Sequence, residues 1–150
     1  MGKQLRNEDK DKKKYENSKV KDLAVHVEKF LYYEEVILGK SYNTVRSYRR
    51  DIYQFIDYLD EYEEITKFDE VETITVRSFI AYLNSGDKSR QASTESNGEK
   101  KEKPVNPVSK RSINRKISAL RTFFKYLQEK QVVKVNKISY IAMPKFEKEL

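Results

Sequence analysis

Apolar residues along this chain recur at steps of three and four, the spacing of one helical face. Leu23, Val27, Phe30 and Leu31 predict a first helix over about Val20 to Leu38, stopped by Gly39, with Glu28 and Lys29 facing water. Val45, Tyr48, Ile52, Phe55, Ile56 and Leu59 predict a second helix ending near Leu59. Ser41 or Asn43, in the turn before it, is placed to accept its first free amides. A third helix begins near Thr73 to Thr75, carries Phe79, Ile80 and Leu83, and ends at Ser85-Gly86. A fourth runs from near Ser109 to about Gln131 on Ile113, Ile117, Leu120, Phe124 and Leu127. No stretch alternates with period two for long, so no sheet is expected.

The segments between are polar. Residues 1–19 are lysine-rich without apolar periodicity and read as a flexible tail; residues 86–108, with almost no apolar content and two prolines, read as a long flexible loop. The acidic stretch 60–72 reads as a connection, and the segment after 132 as a tail anchored by Val133, Val135, Ile138, Ile141 and Met143, with Pro144 ending any short helix there. The prediction is an all-α four-helix bundle over residues 20–143, long enough to bury its own core.

Composition then removes most enzyme classes. There is no cysteine, which excludes a thiolate metal site and a cysteine nucleophile, and the single histidine, His26, excludes a histidine-rich metal site. Alone in the first helix, His26 reads as packing or surface. The four glycines form neither a P-loop nor a dinucleotide-binding fingerprint. No apolar run approaches membrane-spanning length, and Met1 to Ser18 lacks the apolar core of a signal peptide, so a cytoplasmic protein without cofactor, metal or small-molecule substrate is expected. None of the many carboxylates has a diagnostic catalytic spacing.

Net charge is +7 with a pI near 9.3, and the charge is unevenly placed. Lys110 to Lys130 holds seven basic residues against Glu129, whereas Asp57 to Glu72 holds eight acids against Lys67. On a helical wheel, Arg115, Ser118, Thr122 and Lys125 fall within about 40° of Arg111, opposite the apolar face, with Asn114 and Arg121 on the flank. Arg, Asn, Ser and Thr on one acid-poor stripe suit phosphate oxygens and base edges. Thr44, Arg46, Ser47, Arg49 and Arg50 crowd the first two turns of the second helix, against the preference of the helix dipole. The competing readings are that these stripes merely solvate helix faces, or that some arginines pair with Asp51 or with glutamates elsewhere.

The stretch Lys40-Ser41-Tyr42-Asn43-Thr44-Val45-Arg46-Ser47-Tyr48-Arg49-Arg50-Asp51-Ile52 resembles the S-x-N-T-x-x-x-Y-x-x-D-L signature of tyrosine recombinases. Arg111-Ser112-Ile113-Asn114-Arg115-Lys116-Ile117-Ser118-Ala119-Leu120-Arg121 opens a stretch similar to their R-S-I-N-R-x-L-S-A-L-R helix, and Pro144-Lys145 resembles the linker before their catalytic domain. The resemblance covers about residues 20–150 and is to the N-terminal core-binding domain of phage integrases and Xer-type recombinases. It implies a SAM-like bundle gripping duplex DNA in the major groove during recombination, together with further recombinase protomers. Carried over by position, Thr44, Arg46, Tyr48 and Arg49 would meet the backbone; Arg111, Asn114, Arg115, Ser118 and Arg121 would enter or flank the groove beside Lys125; and Lys145 would track the strand between domains. The family's tyrosine nucleophile lies in a C-terminal domain, so this chain is expected to bind rather than cut, with residues 144–150 starting the linker. The long loop 86–108, and Lys137 where the family has proline, depart from the pattern. Two other readings stand beside it: a helical protein-interaction adaptor whose basic face docks an acidic partner or another copy's 57–72 segment, and RNA binding through the tail and loop.

Overall fold

The computed structural model describes residues 10, 11, 13–85 and 107–141. Four main helices carry the core: α1 (Lys21–Tyr32), α2 (Tyr42–Tyr62), α3 (Thr73–Asn84) and α4 (Lys110–Glu129). Among the described residues there is no strand. The fold is the expected all-α, four-helix bundle of SAM-like type.

Local chemistry sets the helix ends. Ser41 caps α2 by accepting the Thr44 amide on its Oγ, and Ser109 caps α4 by accepting the Ser112 amide. α1 continues into a π-helical turn, Tyr33–Ile37, closed by the Leu38 amide donating to the Tyr33 carbonyl five residues back. The backbone then reverses through Gly39 at φ +67°, a left-handed conformation that glycine adopts without steric cost. α4 ends through the same conformation at Gln131, φ 60°, with the Val132 amide on the Leu127 carbonyl and the Gln131 amide on that of Gln128. This is a Schellman end with a side chain where glycine is preferred.

The core is a chain of aromatic contacts. Phe30 of α1 meets Phe123 and Tyr126 of α4 at 5.1 and 5.3 Å between ring centroids; Phe68 of the acidic connection stands edge-on to Phe123 and Phe124; and Phe55 of α2 meets Phe79 of α3. The acidic connection is therefore more than a linker. It buries Ile65, Phe68 and Val71, and its polar groups hold the segment after α4: the Asp69 carboxylate accepts the Lys134 amide, and Lys137 pairs with Glu72 at 2.6 Å. Lys137, the departure from the proline pattern, thus has a structural partner. Val133, Ile138 and Ile141 are buried as expected, but Val135 is 60% exposed and Met143 lies outside the described residues.

The boundary expected at residue 20 does not hold for the residues just before it. Tyr15 is 2% exposed, stacks on Tyr53 at 5.4 Å and donates to Asp57, while Ser18 donates to Asp60. The Tyr15 ring together with the bonds to Asp57 and Asp60 docks this stretch on α2. The rest of the expected tail, and loop residues 86–106, lie outside the described residues. Of the expected loop, Val108 packs on the core and donates its amide to the Leu83 carbonyl at the end of α3.

Replacing Gln131 with glycine relieves the left-handed strain at the end of α4. Gln131→Gly is expected to raise stability by about 1 kcal/mol in urea denaturation.

Candidate nucleic-acid interface

α2 and α4 cross at Asp51. Its carboxylate is fully buried and takes three charged donors from α4: Arg115 Nε at 3.0 Å, Arg115 Nη2 at 3.1 Å and Lys116 Nζ at 2.9 Å. Arg50 Nε stands 4.0 Å away. A lone carboxylate in such a place would not remain ionised without compensation, and here two cations supply it. The Lys116 side chain is 8% exposed and wholly internal, while Arg115 keeps 44% of its side chain in solvent. Its bonds to Asp51 hold Arg115 above its usual pKa against the opposing effect of desolvation, so its charge is fixed.

A second internal network joins α1 to α2. Glu28, expected to face water, is buried: Arg49 grips it through Nη1 and Nη2 at 2.9 and 2.8 Å, and Tyr53 donates its hydroxyl to the same carboxylate. Arg49 also donates to Asp11, and only 18% of its side chain is exposed. Burial and then the bond to Glu28 push the Tyr53 hydroxyl well above the usual tyrosine range, which keeps it protonated as a donor.

The expected interface residues divide accordingly. Arg46, Arg111, Ser118 and Lys125 are exposed, and none of the three cations forms an ion pair with another described residue. Thr44 is half-buried and shares a hydrogen bond with Ser41. Asn114 is half-buried on the flank of α4. Tyr48 is half-buried with its ring 5.8 Å from Phe30, so it belongs largely to the core. Arg49 is committed to Glu28, and Arg121 is half-buried and donates Nη2 to the Ile141 carbonyl, tying down the chain after α4. These two arginines, expected at the interface, both have internal partners. Lys145 lies outside the described residues.

Arg50 is the residue passed over in the reading of site residues. It is 64% exposed, one turn from Arg46, and drawn toward the same carboxylate as Arg115. Asp51 therefore brings Arg50 of α2 and Arg115 of α4 to one carboxylate, with the exposed Arg46 and Arg111 one turn before them and the exposed Lys125 further along the α4 stripe. His26 lies away from this face, half-buried with Phe68 edge-on at 6.1 Å; burial and then Lys29 lower its pKa. Among the described residues no group of three His, Asp or Glu could hold a metal, and no helix is long and apolar enough to cross a membrane.

Exposed basic residues shared by two helices of a bundle suit a polyanion, and they suit an acidic protein surface as well. The comparisons with known proteins narrow the choice. Residues 27–131 match the phage integrase N-terminal SAM-like domain, and the chain belongs to that family. It is similar to a tyrosine recombinase XerC from Leptospira interrogans serogroup Icterohaemorrhagiae serovar copenhageni, 30% identical over 122 residues that cover 81% of this chain and 32% of the relative. A tyrosine recombinase XerD from Listeria monocytogenes serovar 1/2a is 29% identical over 119 residues, 79% of this chain and 33% of that protein. A XerC from Natranaerobius thermophilus is 31% identical over 110 residues, 73% and 30% respectively. The chain thus spans about a third of the length of these curated relatives. No solved structure matches.

Two predictions follow from the networks. Asp51→Ala leaves the Lys116 ammonium buried without its counter-charge and is expected to cost about 3–5 kcal/mol in urea denaturation. The paired change Asp51→Asn with Lys116→Met removes both buried charges and is expected to cost much less. For His26, the folded state favours the neutral ring. Stability is therefore expected to fall as pH drops below about 6.5, because the unfolded chain then takes up the proton first. His26→Gln should remove that part of the pH dependence in melts between pH 5 and 8, the range in which histidine changes charge.

Proposed function

We propose that this chain is the duplex-DNA-binding module of a tyrosine recombinase. The continuous basic face of α2 and α4, joined at Asp51, carries the reading. Arg46 and Arg50 meet the phosphate backbone on one side of a groove, with Thr44 beside them at the start of α2. Arg111, Arg115 and Lys125, with Ser118 and Asn114 between them, lie along the major groove itself, which is wide enough to admit a helix. Lys145, beyond Ile141, follows the strand as the chain leaves the domain. Arg49, Arg121 and Tyr48 hold the face in shape without touching DNA. The matched family and the recombinase names of the relatives support this reading.

On the same reading this chain binds and a separate catalytic domain cuts and rejoins. The longer protein works in the cytoplasm, with further recombinase protomers on the same DNA. No cofactor is required by the part described here, since salt-linked contacts to phosphate need none.

The test is fluorescence anisotropy of a random duplex of about 30 base pairs titrated with the chain at several salt concentrations. Five exposed cations on the face predict a log–log slope near −4.5, that is about −0.9 for each neutralised phosphate. Arg111→Gln should reduce the slope by about 0.9 and weaken binding to different duplexes alike if its contact is to phosphate. Arg49→Gln should lower stability and leave the slope unchanged. Absence of duplex binding even at low salt would overturn the reading.

A further inference from the structure

Arg115 is hydrogen-bonded from behind by two of its nitrogens, whereas Arg50 only stands 4.0 Å from the same carboxylate. The Nε and Nη2 of Arg115 grip the Asp51 carboxylate side-on, which fixes the plane of the guanidinium. That grip uses one edge of the fork. The outer edge, Nη1 with the second hydrogen of Nη2, forms no hydrogen bond with another described residue, and 44% of the side chain is open to solvent. Arg46, Arg111 and Lys125 are exposed and form no ion pair among the described residues, so each must be ordered when it binds. Lys116 completes the arrangement from the inside. Its ammonium, 2.9 Å from Asp51 Oδ1, offsets the carboxylate, so the Arg115 charge remains available outward.

We propose that Asp51 is a positioning residue for duplex recognition: with Lys116 as its internal counter-charge, it presents the outer edge of Arg115 as a preset two-donor fork. This rests on the DNA-binding reading above. The fork fits a pair of acceptors side by side, either two phosphate oxygens or the O6 and N7 edge of a guanine. An arginine already ordered loses less conformational freedom on binding than one drawn from solvent. Asp51 never touches the duplex. It acts through the side chain it orients.

The test is a cycle of three variants of the full chain. Asp51→Asn with Lys116→Met frees Arg115 while leaving no lone charge in the core; a retained helical spectrum and a cooperative melt confirm the fold. Duplex affinity is expected to fall roughly 3- to 10-fold with the salt slope unchanged, because the Arg115 charge is still present. Arg115→Gln is expected to lower affinity, and to reduce the slope by about 0.9 where the fork meets phosphate. Adding the Asp51 and Lys116 changes to Arg115→Gln should cost nothing further. A loss that is uniform over duplexes of different sequence assigns the fork to phosphate, and a loss confined to duplexes with one particular guanine assigns it to that base.

Wild-type affinity in the Asp51→Asn/Lys116→Met variant would overturn the proposal, and so would an equal loss in the Arg115→Gln background. The side-chain NMR signal of Arg115 Nε reads the anchor without DNA. It is expected as a sharp, slowly exchanging resonance in the wild type and to vanish into the solvent-exchanging arginine signals in the paired variant. If the wild type shows that resonance and yet binds no duplex, the anchor exists and the DNA-binding reading fails. If the resonance is absent while the wild type binds, the positioning role fails and the DNA-binding reading stands.

Discussion

A fully buried carboxylate between two helices constrains this bundle more than any apolar contact does. A buried carboxylate calls for cations within reach, and those that meet Asp51 come from consecutive positions of α4. That requirement fixes how α2 and α4 cross, because a slip of either helix by one residue would leave a charge in the core without a partner. Apolar packing tolerates small shifts of register; a buried ion pair does not. The aromatic contacts of Phe30, Phe68 and Phe123 join α1 and the acidic connection to α4.

The Glu28 network does the same for α1. Its carboxylate holds Arg49 and Tyr53 of α2, and Asp11 and Tyr15 extend the contact to the residues ahead of α1. Each helix pair that shapes the basic face is thus fastened by an ion pair in addition to its apolar contacts. Such pairs add little net stability compared with apolar replacements of like volume, so their part here is geometric. They define which arginines face inward and which face out.

The helices, their caps and most of the core were legible because a 3.6-residue repeat is a strong signal over long segments. Ser41 and Ser109 stand where the start signals placed them. The candidate face was legible as a stripe, and its family resemblance was carried by short motifs in α2 and α4. What could not be read was which charges turn inward. Lys116 counts as one more cation in a basic stretch, although on the helical wheel it sits about 140° from Arg111, at the border of the apolar arc. Glu28 is likewise one position beyond Val27. A charge at such a border is buried only if a partner waits on another helix, and tertiary partners are not written in a local pattern. The internal partners of Arg49 and Arg121 were illegible for the same reason, and the docking of Tyr15 because a single ring has no periodicity.

The π-helical turn at Tyr33–Ile37 changes which side chains the end of α1 shows to water. Continued at 100° per residue from Leu23, Ile37 and Leu38 would return to the inner face. Past the wider turn they are instead 62% and 48% exposed, while Glu34, about 20° from Leu23 on the same count, is buried, and burial raises the pKa of its carboxyl. The hydrophobic repeat therefore changes reading frame inside one continuous helix. The extra residue is absorbed without breaking the helix, and the chain reaches the Gly39 reversal with its last apolar side chains turned to solvent.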